Sequence, residues 1–420
     1  MSQTRKVTRN LLFKTLTEGA GRLLSLLFYV ALARWLGEEP FGVYSILYSV
    51  AAIAVFLADP GLNTALIRQA PRDKEHLDET AGAILGLKLL LSAGVVGLCV
   101  GYGALAGYDL KMGALMALMG AQMAGFAVME YAGAVFQARE QMHLETWVMS
   151  AGKFGVTILA IVALAAGGGL GVVLTVMAVA QGVAAAWALY WTGRQGVKLT
   201  LRFDPARWGK LLKDSVPLAA VTFFTLMFYR IDIPLAPFLG VGMADVGYYS
   251  AGVKILDVWL AAPTLAVSAV FPTLSAFAAA ERGTFVKWTN RLLIALGLAG
   301  AVGAGVISAF SEELITFIFS ARFIPAAGPL YWLMGASVFM FVRHGLLYAL
   351  ILDGRQGRAV GLAAAAVGVN VTLNAFLATN WGITGMAAAK LLSDAALMAG
   401  AGYFWIIRMR GKSDGNAAVA

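Results

Sequence analysis

Apolar residues run along this chain in twelve blocks, at 11–34, 41–66, 79–103, 112–136, 145–166, 170–192, 214–238, 246–273, 291–318, 326–350, 359–379 and 382–407. Each holds about 20 or more mostly apolar residues, the length a helix needs to cross ~30 Å of hydrocarbon. The pattern predicts an all-α, polytopic membrane protein of about twelve spans. The runs at 165–171 (AAGGGLG) and 362–368 (LAAAAVG) carry small residues that let membrane helices approach closely.

Composition supports lipid as the solvent. Of 420 residues, 60% are hydrophobic and 13% are charged, against about one-quarter charged in a soluble domain. The basic start MSQTRKVTRN leads into a span too long for a signal-peptide core, so a retained start-transfer helix is expected. The lone Cys99 forms no internal disulfide. His76, His143 and His344 lack metal-ligand spacing, so no metal site is expected.

The net charge of +9 raises nucleic acid as a partner. The placement of the charge argues against it. With the N-terminus inside, the inner segments hold 22 Lys and Arg, and the outer segments hold only Arg34, Lys111 and Arg322. That bias predicts both termini in the cytoplasm and assigns the positive charge to loops beside anionic lipid.

The long basic loop at 193–213 divides the chain. A six-helix lobe is expected over 1–192 and a second over 214–420, with 193–213 as a cytoplasmic linker. The halves share a local pattern. Leu36-Gly37 precedes Phe41-Gly42-Val43-Tyr44-Ser45, and Leu239-Gly240 precedes Val246-Gly247-Tyr248-Tyr249-Ser250. Both fall between the first and second spans of a half, which points to a duplicated bundle. Six spans per half would make the halves parallel repeats flanking a central cavity.

Charge inside the spans sharpens the picture. Seven cations fall there: Arg22, Lys88, Lys153, Arg230, Lys254, Arg343 and Lys390. Six acids accompany them: Glu18, Asp59, Glu130, Asp232, Asp257 and Asp394. An intramembrane charge costs roughly 2.5–3.5 kcal/mol on insertion scales, so these groups must face one another or a wet cavity. Glu18/Arg22 and Lys390/Asp394 are spaced i,i+4, and Lys254/Asp257 i,i+3, which puts each pair on one helix face. Arg230 and Asp232 point to different faces. Lys88, Lys153 and Arg343 have no acid within a turn. Lys88 and Lys153 suit a cavity, whereas Arg343 could also snorkel to the cytoplasmic interface. Asp59-Pro60 reads either as a kink or as a proton site. Asn370 and Asn374 share a face and suit sugar hydroxyls or interhelical hydrogen bonds.

Two segments resemble a known family. LARWLGEEPFGVYSILYSV (32–50) with LADPGLNTALIRQA (57–70) is similar to the start of the polysaccharide flippases (Wzx type) of the MOP superfamily. FYRIDIPLAPFLGVGMADVGYYSAGVKILD (228–257) with VFPTLSAF (270–277) resembles their seventh and eighth spans. The related lipid II flippases typically carry fourteen spans, and the multidrug MATE branch lacks the LGxxxFGxYS opening.

The resemblance implies a MATE-like fold of two lobes. It also implies a non-catalytic transporter that moves an undecaprenyl-pyrophosphate-linked glycan across the bacterial cytoplasmic (inner) membrane, from the inner to the outer leaflet. Arg22, Lys88, Lys153, Arg230, Lys254 and Lys390, with Asn370 and Asn374, are then candidates for the cargo. Glu18, Asp59, Asp232, Asp257 and Asp394 are candidates for positioning those cations or for ion coupling. The implied drive is an H+ or Na+ gradient or consumption of the product, with no cofactor. Membrane lipid and the polysaccharide polymerase machinery are the implied partners. The chain holds no GxxxxGK[ST], which excludes that route to ATP hydrolysis. An ion-coupled drug or solute antiporter is the alternative. A polysaccharide polymerase or ligase would need larger outward loops than these.

Overall fold

The computed structural model describes residues 3–69, 77–195, 204–352 and 356–410. Among them there are helices and no strand. Ten helical segments are long and apolar enough to cross a bilayer. One of these, Val360–Ile407, spans 48 residues and bends back at Gly382 (φ 55°, ψ −135°). Asn370 donates to Ser393, 23 residues later, at 3.4 Å. A straight helix would hold those residues about 34 Å apart. This segment therefore crosses twice. The 26-residue helix Pro205–Arg230 covers most of the predicted span 214–238 but is not among the ten.

The chain divides into two compact units, Met1–Phe223 and Phe224–Ala420. The expected linker at 193–213 lies partly outside the described residues.

The first unit begins with α1 (Gln3–Leu36), α2 (Glu38–Ala58) and the short α3 (Leu62–Gln69). Glu38 and Glu39 open α2, where the helix dipole favours negative charge. The predicted span 41–66 is cut in two. The helix stops at Asp59, and Pro60, lacking an N–H, cannot continue the ladder. The Asp59 carboxylate then accepts the N–H of Asn63 at 3.1 Å and caps α3. Four long helices follow: α4 (Leu77–Leu105), α5 (Leu110–Ala138), α6 (Met142–Ala165) and α7 (Leu170–Arg194). The Tyr131 hydroxyl on α5 donates to the Ala81 carbonyl on α4 at 2.8 Å. Leu62, Leu66, Ile84, Leu85 and Val135 form the apolar core around it.

The second unit contains the end of α8 (Pro205–Arg230), the single-turn α9 (Asp232–Leu235), α10 (Met243–Trp259) and α11 (Ala261–Ala280). The predicted span 246–273 is thus two helices that meet at Leu260. Next come α12 (Arg282–Ala309), the short α13 (Ser311–Ile318), α14 (Ala327–Leu352) and the hairpin α15 (Gln356–Arg410). On α12, Ile294, Leu298, Val302 and Val306 are exposed, whereas Leu296, Gly300 and Ala304 are buried. Four large apolar residues point outward, while Gly300 and Ala304 join Leu296 on the inner face, as expected when lipid is the solvent.

The turns flagged as a repeat share a positive φ at glycine but differ in ψ, −174° at Gly37 and 16° at Gly240. Gly37 (φ 86°) precedes α2, and Gly240 (φ 76°) closes the turn before α10. The tyrosines that follow, Tyr44 and Tyr249, are both buried.

Candidate functional site: two charge clusters and a cavity

The intramembrane cations fall into two sets. Lys88, Arg343 and Lys390 are 0%, 3% and 2% exposed. Arg22, Lys153, Arg230 and Lys254 are exposed or half-buried.

The second unit holds a charge network built around the break between α8 and α9. Pro234 has no N–H to give the ladder, and the N–H of Ile233 turns to the Asp232 carboxylate at 3.1 Å. The Tyr229 carbonyl accepts from the Lys390 ammonium instead, at 3.0 Å. The same ammonium lies 3.0 Å from Asp232 Oδ2, which also accepts from the Tyr249 hydroxyl. Arg343 Nε donates to Asp394 Oδ1 at 3.0 Å, and its Nη2 donates to the Tyr229 hydroxyl at 2.7 Å. The guanidinium also lies over the rings of Phe228 and Tyr229, a favourable cation–π placement. Two cations meet two carboxylates, so the network carries no net charge in its ionised form.

This arrangement changes three sequence expectations. Lys390 and Asp394 share a helix face but take their hydrogen-bonding partners from other helices. Arg343 is buried in the network rather than snorkelling. Asn374 donates to Asn370, and Asn370 donates to Ser393, which ties the two arms of α15 together.

Lys254 and Asp257 form the predicted i,i+3 pair at 3.7 Å, and Arg230 shares the same carboxylate at 3.7 Å. These three side chains are partly exposed.

In the first unit, Lys88 has no acid within a turn on its own helix α4 and pairs with another segment. Its ammonium lies 3.3 Å from Asp59 Oδ2 and donates to Asn63 Oδ1 at 3.0 Å. Asp59 therefore acts as both helix cap and counter-ion. Glu130 on α5 adds a second carboxylate that interacts electrostatically with Lys88. The side chain of Glu18 lies outside the described residues. Among the described residues, no group of three or more His, Cys, Asp or Glu could hold a metal ion.

The first unit also holds a partly open cavity of about 520 Å³, bounded by α1, α2, α5, α6 and α7. Lys153 lines it, and its ammonium packs over Gly21 of α1, where a Cβ would come within 3.3 Å. Glu145 lies eight residues before Lys153, two turns earlier on the same face of α6. Gln122 and Gln181 line the same space, as do Tyr29, Tyr48 and Phe126. Arg22 is exposed on α1, on the face that carries Ser25 and Tyr29.

The charge inventory missed several of these groups. Tyr229, Tyr249 and Asn63 complete the clusters, but neutral residues raise no alarm in an apolar span. Glu145 was visible in principle, since LETWVMSAGK sets it on the face of Lys153. It opens the span, where an acid reads as interfacial.

The fold matches solved transporters. A structure described as the lipid II flippase MurJ, inward closed conformation, aligns with a TM-score of 0.75 at 13% identity, covering 93% of this chain and 86% of that one. An inward-facing multidrug resistance MATE family transporter of the MOP superfamily aligns at 0.76 and 16% identity, covering 94% and 96%. A MOP superfamily transporter from Pyrococcus furiosus aligns at 0.64 and 16% identity, covering 96% and 95%. At these identities the likeness establishes the fold. A comparison with curated protein sequences finds no match. The sequence itself fits one family model over residues 7–278, more than half of its length. On that match, this two-unit bundle of membrane helices belongs to the family of polysaccharide biosynthesis proteins.

Proposed function

We propose that the protein is a flippase for a polyprenyl-pyrophosphate-linked oligosaccharide. It would carry this cargo from the inner to the outer leaflet of a bacterial cytoplasmic membrane by alternating access of its two units. The loop-charge bias supports cytoplasmic termini. Membership of a polysaccharide biosynthesis family supports a glycan cargo. A fold shared with a protein described as a lipid II flippase supports a lipid-linked one.

The observation that carries the reading is the placement of Lys153. A cation in a cavity within the spans, among amides and aromatic rings, suits an anionic, glycosylated headgroup. Arg22, Arg230 and Lys254 are the other cations accessible enough to serve the pyrophosphate. Lys88, Arg343 and Lys390 are engaged in buried pairs and serve the scaffold. Coupling to an H+ or Na+ gradient would use a carboxylate of the partly exposed set, with Asp257 the first choice. No catalytic step is assigned.

The test is leaflet translocation of fluorescent lipid-linked oligosaccharides in proteoliposomes. Movement above that of empty vesicles is expected. Losing one charged hydrogen bond in Lys153→Gln should slow it about 10- to 100-fold. No movement for any of several glycans of both charge classes would sink the reading. Loss in Asp257→Asn with full activity in Lys153→Gln would favour an ion-coupled antiporter of other solutes.

A further inference from the structure

We propose that the cavity of the first unit is a glycosyl subsite: it takes one sugar ring of the cargo against Tyr48 and Phe126, with the sugar hydroxyls bonded to Gln122, Gln181 and Glu145. The inference rests on the flippase reading and adds where the sugar sits.

The chemistry of the lining divides in two. One wall is aromatic. Tyr44 and Tyr48 stack with centroids 6.2 Å apart and planes at 13°, and Tyr29 meets both edge-on. The other wall is amide and carboxylate. A sugar ring divides in the same way, with C–H faces that pack on aromatic rings and an edge of hydroxyls that donate and accept. At about 520 Å³ the space falls in the ~300–1,000 Å³ range of small-molecule sites.

Gln122 points to the sugar rather than the pyrophosphate. It is 7% exposed, and its Oε1 is buried with no hydrogen-bond partner. A buried acceptor left without a donor is unfavourable. An ionised pyrophosphate has only acceptor oxygens and cannot satisfy it. A sugar O–H can. Glu145, whose Oε1 already accepts from Gln137 at 2.8 Å, repels phosphate and accepts a hydroxyl equally well. Lys153 then receives the adjoining pyrophosphate, and the sugar lies towards Gln122. Aromatic core packing alone would account for the rings, but it would fill the space they bound.

The experiment is titration calorimetry on the full-length protein in lipid nanodiscs. Undecaprenyl pyrophosphate is compared with the same carrier bearing one hexose or one N-acetylhexosamine, and free disaccharides are titrated separately. At least one glycosylated carrier should bind about tenfold more tightly than the bare carrier. Gln122→Leu and Tyr48→Leu should cut that increment to about twofold or less, with bare-carrier affinity unchanged and Tyr48→Phe retaining it. Thermal melts certify each fold. Should Tyr48→Leu melt early, Gln122→Leu decides alone. Carrier binding and movement without a sugar increment, or with one that survives Gln122→Leu, overturns the subsite and leaves the flippase standing. Disaccharide binding abolished by Gln122→Leu, without carrier binding, does the reverse. Uptake of tetraphenylphosphonium in place of any sugar overturns both.

Discussion

The ammonium of Lys390 lies 3.0 Å from the carboxylate of Asp232, a residue 158 positions earlier in the chain. Asp394 is one turn away on the same helix but bonds Arg343 instead. The exchange has a physical reason. An intrahelical pair satisfies two charges but leaves the Tyr229 carbonyl, exposed by the break before Asp232, without a donor. Cross-pairing gives Lys390 a carboxylate and a carbonyl together, and gives Arg343 a carboxylate and a hydroxyl. The Tyr229 carbonyl thereby gains a donor in a region where an unmet one is costly, while Asp394 Oδ2 stays buried without a hydrogen-bond partner.

Removing one member of this network should therefore cost more than removing a matched pair. Lys390→Met leaves Asp232 charged and buried, and a loss of about 3–5 kcal/mol is expected. Adding Asp232→Asn should recover much of it, since the uncompensated charge goes with the second substitution. Thermal unfolding in detergent of the two single variants and the double, read as a cycle, checks this. Additive losses would mean that the two residues do not act as a pair.

Tyr229 is the hinge of the network because its two oxygens serve different cations. Tyr229→Phe removes only the hydroxyl that accepts from Arg343 and leaves the carbonyl to Lys390. A hydrogen bond to a charged group contributes about 1.5–3 kcal/mol. The melting temperature should fall accordingly, and a fall of the same size should be absent in an Asp394→Asn background if Tyr229 and Asp394 hold the guanidinium jointly.

The fold was legible where the solvent dictates pattern. Twelve apolar blocks could be read because lipid demands them, and the Gly37 and Gly240 turns because a tight reversal restricts residue choice. The charged partners were harder. Spacing rules find neighbours on one helix, as for Lys254 and Asp257, and are blind to Asp59 reaching Lys88 or Asp232 reaching Lys390. Pairing across helices depends on rotation and depth, which a hydropathy pattern leaves open. Lys153 pointed to a cavity, but the rest of its lining was hidden for a related reason. Gln122 and Gln181 are uncharged, so nothing in the sequence marks them as lining it.

The hairpin in α15 depends on Gly382, whose φ of 55° with ψ of −135° lies in a region that residues with a Cβ rarely enter. Gly382→Ala should destabilise the protein by about 1–3 kcal/mol. Gly368 provides the control. It lies within a helical arm of α15 with open space where a Cβ would go, so Gly368→Ala should be neutral or stabilising by up to ~1 kcal/mol. Similar melting temperatures for the two variants would contradict the assigned turn.

The division of cations into buried pairs and accessible groups can be checked without knowing the cargo in detail. Lys88 is enclosed by Asp59 and Asn63, so Lys88→Met strands a carboxylate and should cost about 3–5 kcal/mol, with transport falling only as folded protein is lost. Arg22 is exposed on α1, near the ring-lined face of the cavity. Arg22→Gln should shift stability by less than about 0.5 kcal/mol. Under the proposed function its transport rate per folded molecule should drop about tenfold, the effect of weakening one charged contact with the headgroup. Measuring both quantities on both variants separates the roles. If Lys88→Met melts normally but transports nothing, the ammonium of Lys88 serves the cargo despite its burial, and the division drawn here between scaffold and site fails.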